Sequence, residues 1–125
     1  MKKILLVIFG CFLSFQVSAG IYDGVWEYSG FPRISDDYVM MRQNGSQFLI
    51  VGLCSELDCW DASLGPITGN HAEVDLFAEI DDWSGHFSIE FTSETTAIVI
   101  IKSFSCNGCE NENFLNTPIN MKKVF

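Results

Sequence analysis

The stretch HAEVDLFAEI, residues 71–80, alternates apolar and polar side chains with a period of two along almost its whole length. Phe87, Ile89 and Phe91 repeat the same alternation one segment further on. This period is typical of a β-strand with one buried face. No window beyond residue 19 shows apolar residues at the 3.6-residue spacing of a helix, so the sequence predicts an all-β fold.

Working outward from this stretch, we expect eight strands. Pro66 should bend, bulge or break the fourth, because proline cannot donate a ladder hydrogen bond. An even number of antiparallel strands lets the first and last pair, which removes exposed edges. The sequence therefore predicts an eight-stranded up-and-down barrel, closed or nearly so, with a two-sheet β-sandwich as the alternative. The strands are expected near 21–29, 38–43, 46–54, 60–68, 71–80, 86–92, 96–105 and 118–125.

The connections between these strands are of two kinds. Asn44-Gly45 is predicted to form the centre of a type I′ turn, and tight turns are also expected at Gly69-Asn70 and at 93–95. In a meander these three turns share one end of the barrel, the tight-turn end. The opposite end, the loop end, then carries the connections near 30–37, 55–59, 81–85 and 106–117.

The loop end concentrates the residues that are candidates for function, because binding groups commonly lie on loops at the mouth of a rigid β-scaffold. Its connections hold or border four cysteines and several carboxylates. We expect non-enzymatic binding here of a small apolar ligand or a protein partner, with no cofactor and no metal. The predicted ligand-binding residues are Phe31, Trp60, Trp83 and Phe114.

Three other functions stay open. Cys106 and Cys109 form a Cys-x-x-Cys that could support thiol–disulfide exchange, although the acidic residues that follow would raise the thiol pKa. The paired acids at 36–37 and 81–82 could serve a carboxylate hydrolase. The third alternative is a structural envelope component. His71 and His86 are expected at opposite ends of the barrel, too far apart to share a site.

The first nineteen residues have the organisation of a secretory signal peptide. Lys2 and Lys3 precede a short apolar run, and Val17-Ser18-Ala19 resembles a small-residue cleavage site. We therefore expect residues 1–19 to be removed, and residues 20–125 to form one exported domain, periplasmic or extracellular. Acylation at Cys11 is the alternative processing route.

Export favours disulfide formation between the remaining cysteines. The pairs Cys54–Cys59 and Cys106–Cys109 are predicted because each is close in sequence, and crossed pairing between the two loops stays open.

The charge of residues 20–125 limits the partners. This segment has five basic and sixteen acidic residues, a net charge of −11. Repulsion from phosphate groups argues against nucleic acid and anionic lipid. The segment has no stretch of transmembrane-helix length, and we expect no membrane insertion.

The segment Asp23-Gly24-Val25-Trp26 resembles the Gly-x-Trp signature that opens lipocalin and related calycin barrels. The resemblance implies a barrel that binds a small apolar molecule. It also implies that Trp26 plugs one end beneath a basic residue of the last strand, a place that Lys122 or Lys123 could take. The tight-turn end would then be closed and the loop end open. We expect Trp26, Val74, Leu76, Ile89 and Phe91 to point into the core.

Overall fold

Eight antiparallel strands close into one barrel in the computed structural model, which describes residues 20–29, 37–53, 61–78, 82–108 and 115–125. Each strand pairs with its neighbours in chain order, and β1 pairs with β8. The predicted closed up-and-down barrel is therefore confirmed, and the sandwich alternative was wrong. The strands are β1 (Gly24–Ser29), β2 (Asp37–Asn44), β3 (Gln47–Leu53), β4 (Ser63–Thr68), β5 (His71–Ala78), β6 (Trp83–Phe91), β7 (Thr96–Cys106) and β8 (Pro118–Lys123).

The interior of the barrel is filled by apolar side chains from every strand. Trp26, Val74, Leu76, Ile89 and Phe91 are all at most 2% exposed, as predicted. The alternation is clearest on β5, where every second residue is buried. Within the described residues there is no helix long and apolar enough to cross a membrane.

The first two tight turns are two-residue hairpin loops, but the type I′ turn centred on Asn44-Gly45 was wrong. Asn44 ends β2 and pairs with the first residue of β3, so the loop consists of Gly45 and Ser46. Gly45 has φ +61°, whereas neither Asn44 nor Ser46 has a positive φ. Glycine at the first central position, with positive φ there alone, is the pattern of a type II′ turn. Gly69-Asn70 repeats it, with φ +61° at Gly69.

The bulge or break expected within the fourth strand was wrong, because β4 continues through Pro66 in regular register with β3, but the seam between β4 and β5 is interrupted there. Only Ile67 and Thr68 of β4 pair with β5. The Ile67 N–H donates to Ser46 on the β3 side, so the adjoining Pro66 nitrogen faces β5, where it offers no donor. Beyond this point the Ser63 hydroxyl donates to the Asp75 carbonyl, in place of a backbone ladder bond.

A β-bulge on β7 changes which side chains face the lumen. His86 of β6 pairs with Ser103, whereas the next residue, Phe87, pairs with Ile101, so Lys102 is an extra residue. Before the bulge the inward residues of β7 have odd numbers, and after it they have even numbers. Phe104 and Cys106 consequently lie opposite the inward positions 85 and 83, at the loop end.

Candidate functional site

The tight-turn end of the barrel is closed by a cluster of stacked aromatic rings. Tyr22 stacks on Phe91 with ring centroids 3.8 Å apart, and Phe91 contacts Trp26 and Phe48 edge-on at 5.4 and 5.5 Å. The Trp26 indole N–H donates to the Tyr22 carbonyl at 3.0 Å, which fixes the entering segment across the barrel floor.

Lys123 lies over this aromatic cluster. Its Nζ is 5.9 Å from the Trp26 ring centroid and donates to the Ile21 carbonyl at 3.2 Å. Of the two lysines considered from the sequence, Lys123 therefore occupies the position above Trp26, whereas Lys122 is exposed and pairs with Glu27 of β1. An ammonium group over the face of an indole adds a modest electrostatic attraction.

The middle of the lumen, beyond this aromatic cluster, is less completely filled. It contains a cavity of about 30 Å³ whose lining is entirely apolar apart from one tyrosine. Six of the eight strands contribute to the lining, so the cavity lies along the barrel axis and not in the wall. The lining residues are Tyr28, Ile50, Leu76, Phe87, Ile89, Val99, Ile119 and Met121.

Three partly buried side chains pack onto the core at the mouth of the barrel: Trp83, Phe104 and Leu115. The Trp83 and Phe104 rings have centroids 5.5 Å apart and are tilted by 31°. They meet because the bulge at Lys102 turns Phe104 inward, toward the first residue of β6. This mouth cluster lies between the luminal cavity and the connections of the loop end.

A second, larger recess of about 490 Å³ opens at the rim of the barrel at the same end, between inward and outward positions; we call it the rim cleft. It lies at the ends of β5, β6 and β7 and contains both aromatic and polar side chains. Its lining residues are Phe77, Ala78, Asp82, Trp83, Ser84, Ser105, Cys106 and Asn107.

The structure brings together part of the predicted site. Trp83 is half-buried at the mouth and also lines the rim cleft. Cys106 is disulfide-bonded. The remaining predicted residues lie outside the described part of the chain, so the ligand-binding roles and the disulfide pairs stay predictions: Phe31, Trp60 and Phe114, and Cys54, Cys59 and Cys109.

The expectation that the two histidines lie too far apart to share a site was wrong. His71 Nε2 is 2.6 Å from one Glu73 carboxylate oxygen, and His86 Nε2 is 2.9 Å from the other. His71 and Glu73 are two residues apart on the outer face of β5, and Glu73 is a diagonal neighbour of His86 on β6. Long side chains on one face of a sheet can reach a diagonal neighbour. Glu73 therefore contacts both histidines, although the order of the strands places them near opposite ends of the barrel.

His86 is held between two carboxylates. Its Nδ1–H donates to Asp75 Oδ1 at 2.7 Å, while Nε2 faces Glu73. The hydrogen bond to Asp75 is the main reason that the pKa of His86 is raised above 6.5. Because both ring nitrogens face oxygens that only accept, the doubly protonated imidazolium is the favoured form.

These side chains do not form a metal centre. Among the described residues, no group of three or more histidine, cysteine, aspartate or glutamate side chains could hold a metal ion. His71 and His86 lie on opposite sides of the Glu73 carboxylate, each against a different oxygen, instead of converging on one point. The arrangement is a chain of contacts between imidazoles and carboxylates on the outer wall.

The cavity, the mouth cluster and the rim cleft were not apparent from the sequence. Phe104 falls in the nearly continuous apolar run 97–104, where alternation gives no inward or outward assignment. The lone charged residue in that run, Lys102, marks the bulge and was the available signal.

The chain matches no protein-family model, no curated protein and no solved structure. The resemblance carried by Gly24 and Trp26 therefore remains a prediction, and the function has to be argued from the geometry alone.

Proposed function

We propose that this protein is an exported, non-enzymatic binding protein that receives a small apolar ligand through the loop end of its barrel. The observation that carries the proposal is the asymmetry of the lumen. The tight-turn end is sealed by Trp26 and Phe91, whereas the unfilled apolar space lies further along the lumen, on the mouth side of this aromatic cluster. Apolar pockets with few polar groups are the usual sites for small ligands, and the mouths of β-barrels are a common place for them.

The size of the cavity defines how a ligand fits. About 30 Å³ accepts a narrow apolar group but not a whole drug-sized molecule, whose pockets usually measure about 300–1,000 Å³. The proposal is therefore that a thin alkyl end enters the lumen. The rest of the ligand then packs on the mouth cluster of Trp83, Phe104 and Leu115.

The disulfide at Cys106 also supports binding at this end. Cys106 adjoins the mouth and is disulfide-bonded, and a disulfide restricts the neighbouring loop so that less entropy is lost when a ligand binds. The signal peptide and the pairs Cys54–Cys59 and Cys106–Cys109 belong to the same proposal of an exported protein. Thiol titration of the native protein tests its redox alternative, because exchange chemistry requires Cys106 to cycle through a free thiol.

The experiment is methyl-resolved NMR of the mature protein titrated with straight-chain alcohols, from butanol to decanol. We expect saturable shifts at Leu76, Val99 and Ile119, which line the cavity. Val39 and Met41, buried but outside the cavity lining, should not shift. Shifts at all five residues, or at none, would contradict a luminal site at the loop end.

A matched pair of variants separates binding from loss of stability. Ile119→Ala enlarges the cavity, and Ile67→Ala removes the same atoms from a buried position that does not line it. Enlarged apolar cavities remain dry and take up small apolar molecules. We expect tighter binding of the longer alcohols by Ile119→Ala alone, and equal affinities for the two variants would refute the proposal.

A further inference from the structure

The outer wall of the barrel carries an ordered row of side chains at the floor of the rim cleft. Phe77 pairs with Ser84 across β5 and β6, and Ser84 pairs with Ser105 across β6 and β7. All three side chains point outward, and Phe77 is 46% exposed. Neighbouring strands lie about 4.8 Å apart, so the row formed by the Phe77 ring and the two serine hydroxyls extends about 10 Å across the three strands.

One edge of the row is bordered by two further polar side chains. Asp82 and Asn107 are both exposed and line the cleft. The Asn107 N–H donates to the Asp82 carbonyl at 3.4 Å, so these two residues are held side by side. Asp82 has φ +49°, a backbone conformation that turns the chain sharply before β6. The cleft volume of about 490 Å³ lies within the usual range for small-molecule sites.

We propose that the rim cleft is a second binding site, for a neutral saccharide of one or two rings. The apolar C–H face of a sugar ring packs on Phe77, and its hydroxyls meet Ser84 and Ser105. Asn107 offers both donors and acceptors, and the Asp82 carboxylate accepts from two adjacent hydroxyls. The residues that hold the saccharide, Phe77, Ser84 and Ser105, are outward-facing and do not line the luminal cavity.

The composition of the cleft disfavours other ligand classes. A wholly apolar ligand would cover two hydroxyls, an amide and a carboxylate without pairing them, which costs free energy for each group desolvated. An anionic ligand would face Asp82, and the described residues that line the cleft include no lysine, arginine or histidine.

The test is saturation-transfer NMR on the mature protein with its disulfides intact, using cellobiose, lactose and N,N′-diacetylchitobiose. Glucuronic acid serves as the anionic comparison and adenosine as a neutral flat-ring comparison. We expect transfer to at least one neutral disaccharide, strongest at its ring C–H protons, and amide shifts at residues 77, 84 and 105. Glucuronic acid should give no saturable signal.

Variants at the floor of the cleft decide between this site and general surface adhesion. Phe77→Ala should weaken binding at least tenfold, whereas Phe77→Tyr should retain it because the ring remains. Leu64→Ala is the matched control, since Leu64 is an apolar residue of the outer wall, 64% exposed and outside the cleft. Ser105→Ala should reduce affinity a few-fold.

Three results would overturn the proposal. The first is that no neutral disaccharide gives saturable transfer. The second is that Phe77→Ala and Leu64→Ala bind alike. The third is that adenosine or decanol shifts residues 77, 84 and 105 at lower concentration than any saccharide, which would assign the cleft to another ligand class.

Discussion

Replacing Trp26 by alanine should remove the main anchor of the tight-turn end. Trp26 is fully buried, donates to the Tyr22 carbonyl and contacts Phe91 edge-on. Burial of an aromatic side chain removes about 200 Å² from water, worth about 5 kcal/mol at about 25 cal/mol per Å². Partial collapse around the deletion brings the expected loss of unfolding free energy to about 3–5 kcal/mol.

Urea denaturation of the mature protein without reductant measures this loss. With a slope of about 2 kcal/mol per molar urea for a domain of this size, the midpoint should fall by about 2 M. Trp83→Ala is the matched control, because it deletes the same side chain from a half-buried position and should cost about 1–2 kcal/mol. If Trp26→Ala lowered the midpoint no more than Trp83→Ala, the aromatic cluster would not be what closes and stabilises this end.

Three further substitutions test other parts of the structure. Gly45→Ala should cost about 1 kcal/mol in urea denaturation, because φ is +61° there with open space around the Cβ, whereas Asn44→Ala should be nearly neutral. Gly65→Ala should cost at least about 3 kcal/mol, since an added Cβ would overlap the Glu73 carbonyl; an unchanged midpoint would mean that the β4–β5 seam relaxes freely. The folded-state pKa of His86 is raised, so protonated His86 stabilises the folded protein fully below about pH 6.5, and this stabilisation disappears as pH rises through the higher folded-state pKa. The wild-type protein should therefore be more stable than His86→Gln near pH 6, and the difference should shrink toward pH 8. Added salt should also reduce the difference. An advantage independent of pH would show that the imidazolium is not the stabilising form.

The barrel could be predicted from the sequence because burial on one face imposes a period of two that survives in the residue order. Residues 71–76 and 86–91 illustrate this, since an inward apolar residue alternates with an outward polar one on both strands. Closure followed from the even strand number, whereas the missing N–H of Pro66 predicted a disturbed fourth strand and interrupts its pairing with β5 instead. In each case a local chemical fact has a direct structural consequence.

The parts that could not be predicted depend on two or three strands at once. The contacts of Glu73 with both histidines include a diagonal one, which strand order does not report. The Phe77–Ser84–Ser105 row requires the registers of two strand pairs, one of which is shifted by the bulge at Lys102. The turn at Gly45 was misplaced by one residue because Asn-Gly is compatible with either position in a hairpin, and only the strand register decides.

The interrupted seam at Pro66 also affects the tendency of the protein to aggregate. If the barrel opens transiently, the least paired boundary, between β4 and β5, is where it parts, and that exposes two strand edges to neighbouring molecules. An exposed edge invites a foreign strand to add to the sheet, which is how many β-proteins aggregate. The newly bared edge of β4 has a proline whose nitrogen faces outward and cannot donate, so an incoming strand finds a gap in the ladder. The residue that weakens the closed barrel therefore also makes the opened one a poor template for aggregation.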